Sequence, residues 1–183
     1  MTQTLHRVAV IGGGTMGAGI AEVAASAGHS VLLYDISADA ITHAIDGIAQ
    51  RLNSRVSRGK ISAERASELL ARIAPATELN QLADAQLVIE AASERLEIKK
   101  ALFSQLAEIC SPSTLLTSNT SSISITAIAV GVKHPERVAG LHFFNPAPVM
   151  KLVEVVSGLA TSTEVVEQLC QCVIAWGKQP VRC

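Results

Sequence analysis

Three glycines near the start of the chain have the spacing of a turn that holds a dinucleotide. Gly12, Gly14 and Gly17 form the pattern G-x-G-x-x-G directly after an apolar run at residues 8–11. The first glycine allows a sharp turn, the second lets a pyrophosphate approach bare backbone, and the third lets the next helix pack closely against the strand. The N-terminus of that helix would face the phosphates. The pattern therefore predicts a strand, a tight turn and a helix around a bound dinucleotide.

An acid follows at the distance that such a site requires. An alanine-rich helical segment at residues 18–27 is stopped by Gly28, and a second apolar run at residues 31–34 ends in Asp35. The Asp35 carboxylate would accept hydrogen bonds from the ribose hydroxyls of the adenosine and would repel a 2′-phosphate. The predicted cofactor is therefore NAD rather than NADP.

A histidine and a glutamate are the candidate acid-base pair. His142 ends the predicted strand 138–141 and precedes an aromatic turn bounded by Pro146, which restrains the one side chain that titrates near neutral pH. Glu154 lies in an apolar run, where a buried carboxylate needs a partner that it can orient. The pattern alone leaves two interpretations open, a structural histidine and a pair of His142 with Glu154.

Composition favours a single α/β domain around these groups. The chain has 183 residues, of which 49% are hydrophobic and only 3% aromatic, so its core must consist of alanine, valine, isoleucine and leucine. This is typical of helices layered on a mostly parallel sheet. A formal net charge of -1 argues against nucleic acid or an anionic membrane as the main partner.

The expected location is the cytoplasm. No apolar run reaches membrane-spanning length, and residues 1–7 lack the apolar core of a signal peptide. Four cysteines form no C-x-x-C pair and have no histidine at zinc spacing, so they are predicted to be reduced structural thiols.

The order of elements predicts a doubly wound, mostly parallel, Rossmann-type α/β sheet with one inserted helical hairpin. Its first arm runs from a Ser37 cap to about Arg58, and its second arm starts at Ser62, includes Ile73 and ends before Pro75. Strands are predicted at residues 87–91, 115–118, 138–141, 151–156 and 179–181, and helices at residues 95–110, 123–129 and 164–176. The carboxyl ends of such strands form the edge where ligands bind.

The first arm of the hairpin has one basic face. Arg51, Arg55 and Arg58 follow helical spacing, with Lys60 just beyond them. Two interpretations stay open: the face meets solvent, or it contacts the phosphates of a large anionic substrate such as coenzyme A.

Four ordered segments resemble the N-terminal domain of the 3-hydroxyacyl-CoA dehydrogenases. They are residues 12–21 (GGGTMGAGIA), 118–122 (SNTSS), 142–146 (HFFNP) and 148–154 (PVMKLVE). The resemblance covers essentially the whole chain. It implies NAD-dependent oxidation of the 3-hydroxyl of an acyl-CoA, with no metal. The similarity to enzymes of phenylacetate breakdown implies 3-hydroxyadipyl-CoA as the substrate, with 3-hydroxybutyryl-CoA as the alternative.

The resemblance also implies a role for each matching residue. His142 is the general base, Glu154 orients it, and Ser121 and Asn145 bind the substrate oxygen or seat the nicotinamide. The implied NAD contacts are Gly12, Gly14, Thr15, Met16, Gly17, Asp35, Glu94, Lys99, Ser121 and Asn145. Ser54 and Lys60 are the implied coenzyme A contacts, on a loose match.

Family members continue into a helical C-terminal domain that closes the substrate cleft and supplies dimer contacts. The resemblance therefore implies that residues 1–183 are the NAD-binding domain of a homodimeric enzyme, poorly active without the missing domain. Two other functions remain open on the sequence, a related sugar-acid dehydrogenase and a non-catalytic NAD-binding domain.

Overall fold

A single eight-stranded sheet organises the chain. The computed structural model describes residues 5–183. The strands are β1 (Arg7–Ile11), β2 (Ser30–Tyr34), β3 (Ile73–Ala76), β4 (Leu87–Glu90), β5 (Leu115–Ser118), β6 (Val138–Phe143), β7 (Leu152–Ser157) and β8 (Gln179–Arg182). Their order across the sheet is β3-β2-β1-β4-β5-β6-β7-β8. All neighbours pair in parallel except β6 and β7, so the predicted mostly parallel sheet is confirmed.

Helices cover both faces of this sheet. They are α1 (Thr15–Ser26), α2 (Ala38–Ser57), α3 (Ala63–Ala71), α4 (Leu96–Ile109), α5 (Ile125–Ala129) and α6 (Thr163–Ala175), with short 3₁₀ turns at Leu79–Leu82 and Pro135–Arg137. Val8 and Val10 of β1 pack into a core with α1, α2, α3 and α6, whereas Ala9 and Ile11 pack into a second core with α4 and α5. Successive residues of a strand face opposite sides, so one strand serves both layers, and the doubly wound prediction is confirmed.

The two helices of the inserted hairpin begin where their serine caps predict. The Ser37 Oγ accepts from the Ala40 N–H at 3.3 Å, and the Ser62 Oγ accepts from the Arg65 N–H at 3.1 Å. Gly59, at a φ of 66°, follows α2 and turns the chain, a position that favours glycine. The two arms therefore form an antiparallel pair whose lengths are set by local capping.

One prediction about the hairpin is wrong. The second arm was expected to include Ile73, but α3 ends at Ala71, and Ile73–Ala76 forms β3 beside β2. Ile73 continues the apolar spacing of the helix, yet it is buried from a strand. Pro75 lacks an N–H but sits on the edge strand, where that loss is tolerated. Pairing with a neighbouring strand therefore overrides the helical periodicity.

The structure leaves every cysteine as a free thiol, as predicted. Cys110, Cys170 and Cys172 are buried, and Cys183 is exposed. Burial raises the pKa of the Cys172 thiol to about 12 and also raises the pKa of Cys110. Cys110 and Cys172 are thus kept protonated and behave as small apolar side chains.

Across residues 5–183, no helix combines the length and the apolar character needed to cross a membrane.

Candidate functional site

The glycine turn has the geometry that its spacing predicts. Gly12 has a φ of 111°, and a Cβ there would lie 2.6 Å from the carbonyl oxygen of Ala91. A Cβ on Gly17 would overlap the carbonyl oxygen of Gly12, so only glycine lets α1 approach the turn this closely. A Cβ on Gly14 would have no protein atom within 4 Å. Two glycines are therefore required by packing, while Gly14 faces open space where a ligand can come close.

The N-terminus of α1 is free to bind an anion. Its N-cap is Gly14, which offers no side-chain cap, and its first turn contains no acidic residue. The first N–H groups of a helix have no intrahelical partner, and the helix dipole adds partial positive charge there. Thr15 is exposed and Met16 is half-buried at this point. The open space at Gly14 and these donors fit the pyrophosphate of a dinucleotide.

Asp35 is anchored to the turn. One carboxylate oxygen accepts from the Gly13 N–H at 2.7 Å, and the other accepts from the Ser37 N–H at 2.9 Å. Each carboxylate oxygen retains a second lone pair, so these bonds leave acceptors for the ribose hydroxyls. The sequence predicted the position of this acid but not its backbone partners. The two amides fix the direction in which the carboxylate points.

His142 and Glu154 form the pair that the sequence left undecided. They lie opposite each other on the antiparallel strands β6 and β7. The His142 Nδ1 is 2.8 Å from the Glu154 Oε2, and the two side chains are 16% and 35% exposed. His142 lies inside β6 rather than just after it, and the Phe144 ring packs 4.6 Å from the imidazole. The histidine is therefore restrained on one side by a carboxylate and on another by an aromatic ring.

The carboxylate decides the tautomer of His142. A carboxylate accepts, so the Nδ1 must donate its proton, which leaves the lone pair on Nε2. Within residues 5–183 no group hydrogen-bonds to that Nε2. The arrangement produces a base whose second nitrogen is oriented and available.

Two neighbouring loops meet this histidine. The Asn119 Oδ1 accepts from the Phe143 N–H at 2.8 Å, which ties the loop after β5 to the residue beside His142. Ser121 and Asn145 are exposed on the loops after β5 and β6, and their side chains make no hydrogen bond among the described residues. The geometry leaves both polar groups available to a ligand at the carboxyl edge of the sheet.

Lys99, one of the predicted cofactor contacts, is buried. Its side chain is only 1% exposed, and its Nζ lies 2.6 Å from the Glu90 Oε2 inside the protein. Glu94, by contrast, is exposed, and its Oε2 accepts from the Thr120 hydroxyl at 2.7 Å. The Lys99 ammonium is thus occupied by a buried carboxylate, because α4 packs Lys99 against the end of β4. The Lys99 Nζ also lies 3.9 Å from the Oε1 of the exposed Glu94, and the contact of both residues with NAD stays a prediction.

Glu90 is the residue that sequence reasoning missed. It closes the apolar strand β4 and is completely buried. The signal was available, because an acid inside an apolar run is the same feature that singled out Glu154.

The basic face of the hairpin was predicted either to meet solvent or to contact the phosphates of coenzyme A. The structure shows that two of its arginines instead contact a carboxylate of the protein. The Arg51 Nε lies 2.8 Å from the Glu22 Oε2 of α1, and the Arg55 Nη1 lies 3.9 Å from the other oxygen of that buried carboxylate. The arginines therefore tie α2 to α1. Ser54 is half-buried and Lys60 is exposed, so both remain accessible.

Lys178 holds the loop that contains Asn145. Its Nζ donates to the carbonyl oxygens of Ala147 and Met150, each at 2.6 Å. Burial lowers the pKa of Lys178 from its ordinary value. Gly19 of α1 lies against the same loop, since a Cβ there would be 3.2 Å from Ala147. The loop is fixed from two sides while Asn145 itself stays exposed.

Comparison with known proteins identifies relatives over the whole chain. The family model described as 3-hydroxyacyl-CoA dehydrogenase, NAD binding domain, matches residues 7–183. The 3-hydroxyadipyl-CoA dehydrogenase of Escherichia coli (strain K12) is 73% identical over 183 residues, which make up 100% of this chain and 38% of that protein. A 3-hydroxybutyryl-CoA dehydrogenase of Bradyrhizobium diazoefficiens is 42% identical over 98% of this chain and 61% of its own length.

A solved structure shows the same fold. The crystal structure described as 3-hydroxybutyryl-CoA dehydrogenase from Escherichia coli K12 has a TM-score of 0.98 and 73% identity, covering 99% of this chain and 38% of that one. The present chain thus spans between 38% and 61% of the length of these relatives. The match over residues 7–183 confirms the resemblance seen in the four motifs, and the chain belongs to the 3-hydroxyacyl-CoA dehydrogenase family as its NAD-binding domain.

Proposed function

We propose that this chain supplies the NAD site and the acid-base group for oxidation of the 3-hydroxyl of a 3-hydroxyacyl-CoA to a ketone. The observation that supports this most strongly is the His142–Glu154 contact of 2.8 Å, at the carboxyl edge that also contains the glycine turn. Ligands of open α/β sheets bind at this edge.

The chemistry follows from the orientation of the imidazole. A secondary alcohol gives up hydride readily only if its proton is removed as the hydride leaves. The His142 Nε2 accepts this proton, and the Glu154 carboxylate stabilises the imidazolium that results. NAD, when bound, accepts the hydride from C3 of the substrate. In the reverse direction the imidazolium returns the proton to the developing alkoxide.

Ser121 and Asn145 are proposed to hold the reacting oxygen. Both side chains are exposed on the loops beside His142, and neither makes a hydrogen bond within residues 5–183. A hydroxyl and an amide can donate to an oxygen that becomes negative, which orients the substrate and lowers the barrier.

The proposed substrate is 3-hydroxyadipyl-CoA. Support comes from the 73% identity to a protein of that specificity by name. The second candidate is 3-hydroxybutyryl-CoA, which is favoured by the names of the other relative and of the solved structure. Ser54 and Lys60 of the hairpin are the proposed coenzyme A contacts, since Arg51 and Arg55 are engaged with Glu22.

The complete enzyme is proposed to contain a helical C-terminal domain, to dimerise through it and to act in the cytoplasm. The greater length of the relatives supports the additional domain. Exposed apolar side chains at Val149, Met150 and Leu152, beside the site, support a covering partner. We expect residues 1–183 to bind NAD yet turn over substrate at a small fraction of the full-length rate, because a cleft open on one side cannot exclude water or fix the substrate. Equal turnover of the two proteins would contradict this.

Steady-state kinetics on the full-length protein test the proposed function. NADH formation is measured with 3-hydroxyadipyl-CoA, with 3-hydroxybutyryl-CoA and with a free sugar acid, and NADH consumption is measured with acetoacetyl-CoA. Turnover restricted to the acyl-CoA substrates is expected. Turnover of the sugar acid alone would favour the sugar-acid dehydrogenase, and NAD binding without any turnover would favour a non-catalytic domain.

A further inference from the structure

A buried ion pair lies behind the loop that contains Ser121. Glu90 ends β4 and is fully buried, and Lys99 of α4 is 1% exposed. Burying a charge is costly unless it is paired and hydrogen-bonded. The 2.6 Å contact between the Lys99 Nζ and the Glu90 Oε2 provides the pairing. A buried ion pair adds little net stability over apolar side chains of similar size, so stability alone does not explain its presence.

The Glu90 carboxylate joins three separate segments. Besides Lys99 of α4, its Oε2 accepts from the Ser118 hydroxyl at 2.7 Å, at the end of β5. Its Oε1 accepts from the Ala92 N–H at 2.8 Å, in the loop that also packs against Gly12. The carboxylate is therefore a junction of α4, the loop after β4 and the last residue of β5.

From this junction, hydrogen bonds continue to both sides of Ser121. The Ser118 Oγ accepts from the Thr120 N–H at 3.3 Å, and the Thr120 Oγ1 accepts from the Ile123 N–H at 3.1 Å and the Ser122 N–H at 3.4 Å. Ser121 lies between Thr120 and Ser122, so its backbone is held on both sides while its side chain remains free.

A second path leads from Glu90 to the catalytic strand. The backbone carbonyl of Glu90 accepts from the Asn119 N–H at 2.7 Å, and the Asn119 side chain accepts from the Phe143 N–H at 2.8 Å. Phe143 follows His142 directly. Hydrogen bonds thus connect the backbone on either side of Ser121, and the backbone next to His142, to the same buried residue, Glu90.

We propose that the Glu90–Lys99 ion pair is a positioning element that holds the loop 118–122, and with it Ser121, in register with His142. The inference rests on the proposed function, because it concerns the alignment of groups that act on the reacting oxygen. Neither Glu90 nor Lys99 touches the substrate in this proposal. In this role Lys99 acts through Glu90 and Ser118.

The kinetic test uses a double-mutant cycle on the full-length protein. Glu90→Gln removes the carboxylate that lies 2.6 Å from the Lys99 Nζ and leaves only the more distant and exposed Glu94, whose Oε1 lies 3.9 Å away. Lys99→Met leaves the buried Glu90 carboxylate without its ammonium partner. Each single change is expected to lower kcat by roughly 10- to 100-fold with little change in the KM for NAD, since a displacement of about 1 Å in a reacting group has effects of this size. The double variant removes both charges and is expected to recover part of the lost kcat.

A matched pair of neighbouring residues separates positioning from general stability. Ser118→Ala removes a hydroxyl that bonds to Glu90, whereas Thr117→Val removes a hydroxyl that donates to the Val88 carbonyl at 2.8 Å, one residue earlier on β5. Both side chains are fully buried. Ser118→Ala loses the bonds of the hydroxyl to Glu90, to the Thr120 N–H and to the Lys99 Nζ, whereas Thr117→Val loses one bond, to a backbone carbonyl outside this network. Only Ser118→Ala is expected to lower kcat, while both lower the unfolding temperature.

Hydrogen exchange supplies a readout that does not depend on turnover. Mass spectrometry of a peptide covering residues 118–124 is expected to show faster amide exchange in Glu90→Gln and Ser118→Ala than in Thr117→Val, with no substrate present. Unchanged exchange in Glu90→Gln would overturn the inference. So would a Lys99→Met variant that mainly raises the KM for NAD and gives no rescue of Glu90→Gln, because Lys99 would then act at the cofactor. An inactive wild-type protein that still shows the exchange difference would refute the proposed function and leave the positioning role of the pair intact.

Discussion

The two edges of the sheet each contain a buried or half-buried histidine, but the two imidazoles have opposite kinds of partner. At the carboxyl edge, the His142 Nδ1 donates to the Glu154 carboxylate at 2.8 Å. At the amino edge, just before β2, the His29 Nε2 accepts from the Trp176 Nε1 at 2.7 Å. A carboxylate stabilises a protonated ring, whereas an indole N–H needs the lone pair that protonation would remove. The partner of His142 therefore favours the protonated imidazolium, whereas the partner of His29 favours the neutral ring.

The surroundings of the two histidines reinforce this difference. Burial lowers the pKa of His29, with a hydrogen bond to the Leu5 backbone acting in the opposite direction. Beside it lies a cavity of about 270 Å³ lined by Trp176 and Cys172. The carboxyl edge, in contrast, brings together the glycine turn, Asp35 and the His142 pair. Cavity size thus does not locate the site here, because the loops that bear chemical groups follow the carboxyl ends of the parallel strands.

The largest expected effect is that of removing the imidazole of His142, the proposed base. In the full-length protein, His142→Ala should lower kcat by about 100- to 10,000-fold, the usual range for a general base, with little effect on NAD affinity. His29→Ala should leave kcat close to the wild-type value. Steady-state kinetics and calorimetry with NAD measure both. Near-normal turnover of His142→Ala with an unchanged pH profile would assign the base to another residue.

Removing only the charge beside His142 should have a smaller effect. Glu154→Gln keeps the size of the side chain but no longer stabilises the imidazolium or enforces the Nδ1–H tautomer. We expect kcat to fall by about 100-fold, the lower end of a general acid-base contribution. The NAD dissociation constant serves as the control and should be unchanged. If the Glu154→Gln enzyme were as active as wild type, the carboxylate partner would not be what distinguishes His142 from His29.

The cofactor preference should depend on Asp35. Wild type is expected to bind NAD far better than NADP, and Asp35→Ala should narrow that gap by about 10- to 100-fold, the equivalent of losing hydrogen bonds to a charged group. Because Asp35 also accepts from the Gly13 and Ser37 amides, some affinity for both cofactors should be lost as well. Asp35→Asn, which preserves size, is the matched variant. Equal affinities of wild type for the two cofactors in calorimetry would refute this reading of Asp35.

The smallest expected effect concerns the amino edge and its pH dependence. The folded-state pKa of His29 is below its ordinary value of 6.5, so the stability that neutral His29 contributes is present above pH 6.5 and is lost as the pH falls through the lower value. Protonation must also break the bond from Trp176, which is the single tryptophan of the chain. Tryptophan fluorescence should therefore change between pH 6.5 and lower values without loss of the fold. His29→Gln, which can still accept from the indole but does not titrate, should abolish the change.

Local sequence determines much of this protein. The glycine spacing predicts the turn, because glycine is needed where φ is positive or where another segment packs too closely for a Cβ. The structure shows a positive φ at Gly12 and such close packing at Gly17. Short apolar runs predict most of the strands, and serine caps predict where the two hairpin helices begin. An acid in an apolar run indicates a buried partnership at Glu154. These features depend on neighbours within a few residues, so the sequence alone is sufficient to reveal them.

Only the tertiary structure decides which distant groups become partners. Ile73 follows the apolar spacing of a helix but lies in an edge strand, because the backbone of β2 is available for pairing there. The tertiary structure pairs Lys99 with Glu90 and directs Arg51 to Glu22, which is 29 residues away along the chain. A charged side chain takes the nearest counter-charge that packing brings within reach, and that choice depends on how helices are laid on the sheet. Residue type and spacing thus determine what chemistry the chain can perform, and the fold determines which charges face the ligand and which remain inside.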